Sequence, residues 1–256
     1  AALISGALDL AEILLRGLQR EKIPTAGRHA NLKKQAENLR RLVPIRLSDV
    51  YSNQCDKWFQ QWRQDRSLDS LRRVASYNEL FGQISKDRFK YLNFKAILVF
   101  VTTRDAEKAL AILLSIKNAD AIAPHVRYSI AFLQAFKGQM ALAERSYTTA
   151  FGLDRGGEVA FEVEEFIAWI AADHPDKPQL HYCLGLINLR GKKDAQLAAR
   201  DFKRFLALAP EEQFGQQIRT AKNHVAGFAS GADAANEDIE NLNVIPLRAN
   251  SSSTSR

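Results

Sequence analysis

Residues 91–153 read YLNFKAILVFVTTRDAEKALAILLSIKNADAIAPHVRYSIAFLQAFKGQMALAERSYTTAFGL, and they decide the fold because their small and apolar positions recur 34 residues apart. Ala96 returns as Ile130, Ile97 as Ala131, Ala109 as Ala143, Leu113 as Tyr147 and Ile116 as Ala150. Each copy holds two helical stretches parted by a polar break, Thr102-Thr103-Arg104-Asp105 in one and Lys137-Gly138-Gln139 in the other. Paired helices at this period stack into an α-solenoid, because each hairpin can bury its apolar face only against a neighbour. The expected fold class is therefore all-α, a helical-hairpin solenoid.

Outward from this stretch, the same reading predicts further helices. Asp105 is placed to cap the second helix of the first copy, and Pro124 falls just before or at the first turn of the next helix, where its missing N–H is harmless. Residues 158–172 leave the register: Val159, Phe161, Phe166, Ile167, Trp169 and Ile170 predict an inserted, largely buried helix fringed by glutamates. Gln179 to Leu189 and Ala195 to Leu208 form a third hairpin, and Phe214 to Phe228 reads as a capping helix over the last apolar face. Gly, Asn, Asp and Ser dominate 229–256, which is expected to be a disordered tail.

Toward the N-terminus, Leu3 to Gln19 and Ala30 to Leu42 have helical apolar spacing, with Pro44 expected to stop the second. Ser48 and Asp49 are candidate caps for a helix reaching about Gln64, in which Tyr51, Cys55, Trp58, Phe59 and Trp62 fall on one face. Ser67 to Gly82 follows as a degenerate copy that aligns Ala75 with Ala109. The chain thus divides into a basic helical region at 1–88, a repeat domain at 89–228 with its insert at 158–172, and the tail.

In the third hairpin, Leu184-Gly185, Ala198, Phe202 and Pro210 resemble the tetratricopeptide repeat, with one residue more than its usual spacing between Gly185 and Ala198. Ile130-Ala131, Ala143 and Tyr147 match in the second copy, where Arg155 stands for the terminal Pro, and Ala109 and Leu113 match in the first. The resemblance covers about residues 91–210 without the insert. Small residues let helix backbones approach, while Leu113, Tyr147 and Phe202 fill the space beside them. The resemblance implies a concave groove that holds a peptide or another protein, lined here by Tyr91, Phe94, Leu98, Tyr128, Phe132, Phe136, Tyr182 and Arg190. Such a lining suits an apolar segment rather than a carboxylate clamp. An equal alternative is that these rings pack against the chain's own N-terminal helices or its own tail.

The 256 residues are 46% apolar, enough to bury a sizeable core, and carry a formal charge of +7. Residues 1–95 hold 18 Lys/Arg against 10 Asp/Glu, a balance of +8, and the rest hold 18 against 19, or −1. A basic third is either a nucleic-acid, acidic-lipid or acidic-partner contact or a soluble surface. Its nucleic-acid footprint would comprise Lys33, Lys34, Arg40, Arg41, Trp58, Trp62, Arg63, Arg66, Arg72 and Arg73, aromatic and cationic side chains that stack on bases and grip phosphates.

Two cysteines, Cys55 and Cys183, make no disulfide framework and agree with a cytoplasmic protein, leaving the periplasm and a membrane surface open. No apolar run is long enough to span a bilayer. His29, His125, His174, His181 and His224 have no metal-ligand spacing, and no phosphate loop or nucleophile motif occurs, so neither a cofactor nor catalysis is expected. The expected function is a non-enzymatic adaptor or scaffold that binds a protein or peptide. Nucleic-acid binding is the rival. The chain starts on Ala1 and not Met, which sustains a third reading, the recognition part of a longer enzyme.

Overall fold

Polar breaks between the apolar stretches become turns that share one backbone feature. In the computed structural model, which describes residues 13, 15–17, 30–85, 88–116 and 123–233, every regular element among the described residues is helical. Helices α1 (Ala30–Asp65) and α2 (Leu68–Ile84) join through Arg66, at φ 53°, and the N-cap Ser67. Helices α3 (Arg88–Thr103) and α4 (Ala106–Leu114) join through Arg104, at φ 56°, and the N-cap Asp105, whose carboxylate accepts from Lys108 N at 2.9 Å. Helices α5 (Pro124–Phe136) and α6 (Met140–Leu153) join through Gly138, at φ 78°, and Gln139. After α7 (Glu158–Asp173), α8 (Gln179–Leu186) joins α9 (Ala195–Leu208) through Lys193, at φ 58°, and the N-cap Asp194; α10 (Glu211–Asp233) follows. In each of these four hairpins the reversal is one left-handed residue placed directly before an N-cap, and Arg104 and Gly138 are themselves 34 residues apart.

Consecutive helices pack in hairpin-like pairs, α1 with α2, α3 with α4, α5 with α6 and α8 with α9. The chain forms two compact units, residues 1–169 and 170–256, divided inside α7. The position between 88 and 89 lies within the first unit, where α2 packs on α3. All the positions that recur in sequence are buried: Ala96 with Ile130, Ile97 with Ala131, Ala109 with Ala143, Leu113 with Tyr147, Ile116 with Ala150. Ala75, aligned with Ala109 in the degenerate copy, is exposed instead.

Pro44 does not stop a helix. It lies inside the 36-residue α1, and Ser48 and Asp49 are mid-helix and do not cap it. Proline in a helix interior costs about 3 kcal/mol. Val43, Leu47, Val50 and Tyr51 are all buried on this stretch, each contributing roughly 1.5–3 kcal/mol of burial, so packing decides the outcome. Val43, Leu47 and Tyr51 form one core cluster with Phe81 of α2 and Tyr91 of α3, and Leu15 packs against it. Arg16 Nε donates to Tyr51 Oη at 3.0 Å. The rest of the helix expected at residues 3–19 lies outside the described residues.

In the second unit Gly185 to Ala198 spans 13 residues, where Ala131 to Ala143 spans 12. The surplus residue is taken up by a π-helical turn at Ile187–Gly191, in which Lys192 N donates to Ile187 O at 3.0 Å, five residues back. A Cβ on Gly185 would stand 2.6 Å from the Phe202 ring, so the close approach of α8 and α9 requires glycine. Tyr182 meets the rings of Phe202 and Phe205, and Asn188 Nδ2 donates to Asp201 Oδ2 at 2.7 Å, both side chains buried. Helix α10 starts at Glu211, before the expected Phe214, and continues past Phe228 to Asp233, with Phe214 itself non-helical at φ −123°. Residues 234–256 of the expected tail lie outside the described residues. Among the described residues no helix is long and apolar enough to cross a membrane.

Candidate functional site: a cavity among four helices

Four helices of the first unit each contribute one ring to a continuous aromatic wall. Phe59 of α1 stands 6.2 Å from Phe94 of α3, edge to face, and 6.2 Å from Phe166 of α7. Phe166 in turn meets Phe132 of α5 at 5.4 Å, again near perpendicular. Such T-shaped contacts are favourable beyond the area they bury. Between these helices lies a cavity of about 510 Å³, lined mainly by apolar side chains that include Phe89, Ile97, Val126 and Val163.

Polar side-chain contacts strap the cavity's helices together. Lys90 Nζ of α3 lies 2.8 Å from Asp56 of α1, Arg63 of α1 pairs with Glu165 of α7, and His125 of α5 lies 3.5 Å from Glu162 of α7. Tyr128, which also lines the cavity, donates its hydroxyl to Asp154 Oδ2 at 3.2 Å. The same carboxylate accepts from Ala160 N at 2.9 Å and Val159 N at 3.5 Å, so Asp154 caps α7 and ties it to α5. Burial, and then the charge of Asp154, raise the Tyr128 pKa, which keeps the phenol a donor.

Next to the wall, Trp62 of α1 meets Trp169 of α7 edge to face at 5.0 Å. The left-handed Arg66 and Arg104 bring their guanidiniums to 4.0 and 5.3 Å from the centre of the Trp169 ring.

Of the residues expected in a groove, Phe94, Tyr128 and Phe132 line the cavity. Tyr91 is buried in the α1–α2–α3 cluster, Phe136 is buried against Phe100 and Phe132, and Leu98 is half-buried. Tyr182 and Arg190 belong to the second unit, the first buried and the second exposed. The rings of α3 and α5 meet Phe59 of α1 and Phe166 of α7, so these two helices complete the walls of the cavity. Phe59 and Phe166 escaped the groove assignment because each belongs to a helix outside the 34-residue register; their one signal in the sequence is membership of a buried apolar face. Lys90, His125 and Glu162 carried no signal.

The residues of the proposed nucleic-acid footprint are mostly engaged. Trp62 is 5% exposed and its ring stacks on Phe59, so it cannot stack on a base. Trp58 is half-buried with Lys57 and Arg73 over its ring. Arg63 pairs with Glu165, Arg66 lies on Trp62 and Trp169, and Arg73 is 2.9 Å from Asp69. Lys34, Arg41 and Arg72 are exposed, and the side chains of Lys33 and Arg40 lie outside the described residues.

Cys55 and Cys183 are both buried and free, and burial pushes the Cys55 thiol up to about 12. Among the described residues no group of three or more His, Cys, Asp or Glu side chains is gathered to hold a metal ion. In the second unit His181 is buried, and burial, then Arg204, lower its pKa against the opposing pull of Asp201.

No family model, curated protein or solved structure matches the chain.

Proposed function

We propose that this chain is a non-enzymatic adaptor or scaffold built from tetratricopeptide-like hairpins, and that its first unit takes an apolar anchor of a partner protein into the cavity between α1, α3, α5 and α7. The observation that carries this reading is the cavity itself, whose volume of about 510 Å³ is lined by one phenylalanine or more from each helix. Sites that hold ligands are concave, mostly apolar and of this size, with a few polar groups that fix orientation. Two features support the repeat: recurring positions buried in both copies, and left-handed turns spaced by the same 34 residues.

A photo-crosslinking residue in place of Gln60, an exposed member of the lining, tests the reading in cells that express the chain. The expected outcome is a crosslink to a discrete protein that disappears when Val163→Trp fills the cavity, with the thermal midpoint maintained. Crosslinks unaffected by Val163→Trp, or none to any protein, would refute it.

A further inference from the structure

One wall of the cavity comes from the most one-sidedly acidic helix of the described residues, through Glu162, Val163 and Phe166. Helix α7 carries Glu158, Glu162, Glu164, Glu165 and Asp173 and no Lys or Arg, within a chain whose formal charge is +7. Glu158, Phe161, Glu162 and Glu165 are spaced to share one face. That face is exposed: Phe161 at 54%, and the side chains of Glu162 and Glu165 at 64% each. Glu162 belongs both to this face and to the cavity lining, so the acidic face and the aromatic cavity are one continuous surface. Arg63, the cation paired to Glu165, is only 14% exposed, so it is the carboxylate that solvent meets.

We infer that the partner segment is a cationic amphipathic helix, lying along α7 with its apolar residues on Phe161 and in the cavity and its Lys or Arg side chains against Glu158, Glu162 and Glu165. This rests on the reading of the cavity as a binding site and adds the chemistry of its occupant. Successive carboxylates on α7 are one turn, about 5.4 Å, apart, and cations on successive turns of a second helix repeat at the same distance. An apolar row flanked by cations is the recognition pattern of a helix seated in a groove, and charge complementarity sets which partners are admitted. Nucleic acid and acidic lipid would be repelled by this face.

The test uses the whole chain and two labelled helical peptides that share one Leu/Phe row and differ in their flanks, Lys in one and Glu in the other. Anisotropy should show the Lys peptide binding at least tenfold tighter, and weakening between ~50 and ~150 mM salt as screening shortens. Glu158→Lys with Glu162→Lys should invert that preference. Val163→Trp and, independently, Gln60→Trp should remove binding of either peptide, while circular dichroism melting confirms that each variant folds. Equal binding of the two peptides, or binding of neither, overturns the cationic-helix inference and leaves the cavity reading to its crosslinking test. Binding that both cavity-filling variants leave intact overturns the cavity reading itself.

Discussion

Gly138 and Lys193 occupy the same backbone region, at φ 78° and 58°, yet only one of them is glycine. A side chain there brings Cβ against the next carbonyl at a cost of roughly 1–2 kcal/mol. Nothing lies within 4 Å of where a Gly138 Cβ would stand, so Gly138→Ala should lose about 1 kcal/mol through backbone conformation alone. Lys193→Gly should move the other way, gaining up to ~1 kcal/mol less the entropy that glycine adds to the unfolded chain. Urea midpoints for the pair decide this, and shifts of the same sign would show that contacts, not φ, rule these turns. Gly185 differs in kind. Its φ is not the constraint; Phe202 is, and Gly185→Ala should cost about 1–3 kcal/mol by overpacking.

Among the elements, α1 departs furthest from its sequence reading. Pro44→Ala should raise the urea midpoint by an amount worth about 1–3 kcal/mol, since the helix already runs through this position. A lower midpoint would mean that proline's shape is needed there. Helix α8 offers a pH test. Burial and Arg204 hold His181 below its ordinary value of 6.5, so the unfolded chain binds that proton more readily. Stability from this group is present above about pH 6.5 and is lost as pH falls toward the lowered value. His224, lowered by burial and then Arg190, adds in the same direction. His181→Gln should therefore flatten the thermal midpoint between about pH 7 and 5; an unchanged slope would exclude His181 as its source. The hairpins were legible because a 34-residue recurrence and caps such as Asp105 are local signals. The length of α1 was not, because tertiary burial of Val43, Leu47 and Tyr51 overrode a local breaker. The cavity was half legible: Phe94 and Phe132 lie in the register, whereas Phe59 and Phe166 arrive from helices whose packing partners no spacing reveals.

At the scale of the whole molecule, the +8 balance of residues 1–95 remains, but its aromatic platform does not, since Trp62 is covered and Trp58 lies beneath two cations. Any association with nucleic acid should therefore be phosphate attraction alone. Anisotropy with single-stranded oligonucleotides should show no preference for base composition, and whatever binds at ~50 mM salt should be lost by ~200 mM. Binding that survives at the higher salt, or that favours one base, would restore a stacking footprint. Two of the chain's three tryptophans, Trp62 and Trp169, stand against each other, one residue before Arg63 and three after Phe166 of the lining. The protein thus carries its own optical reporter: a segment that entered and nudged α1 from α7 would change the emission of that indole pair, with no dye attached.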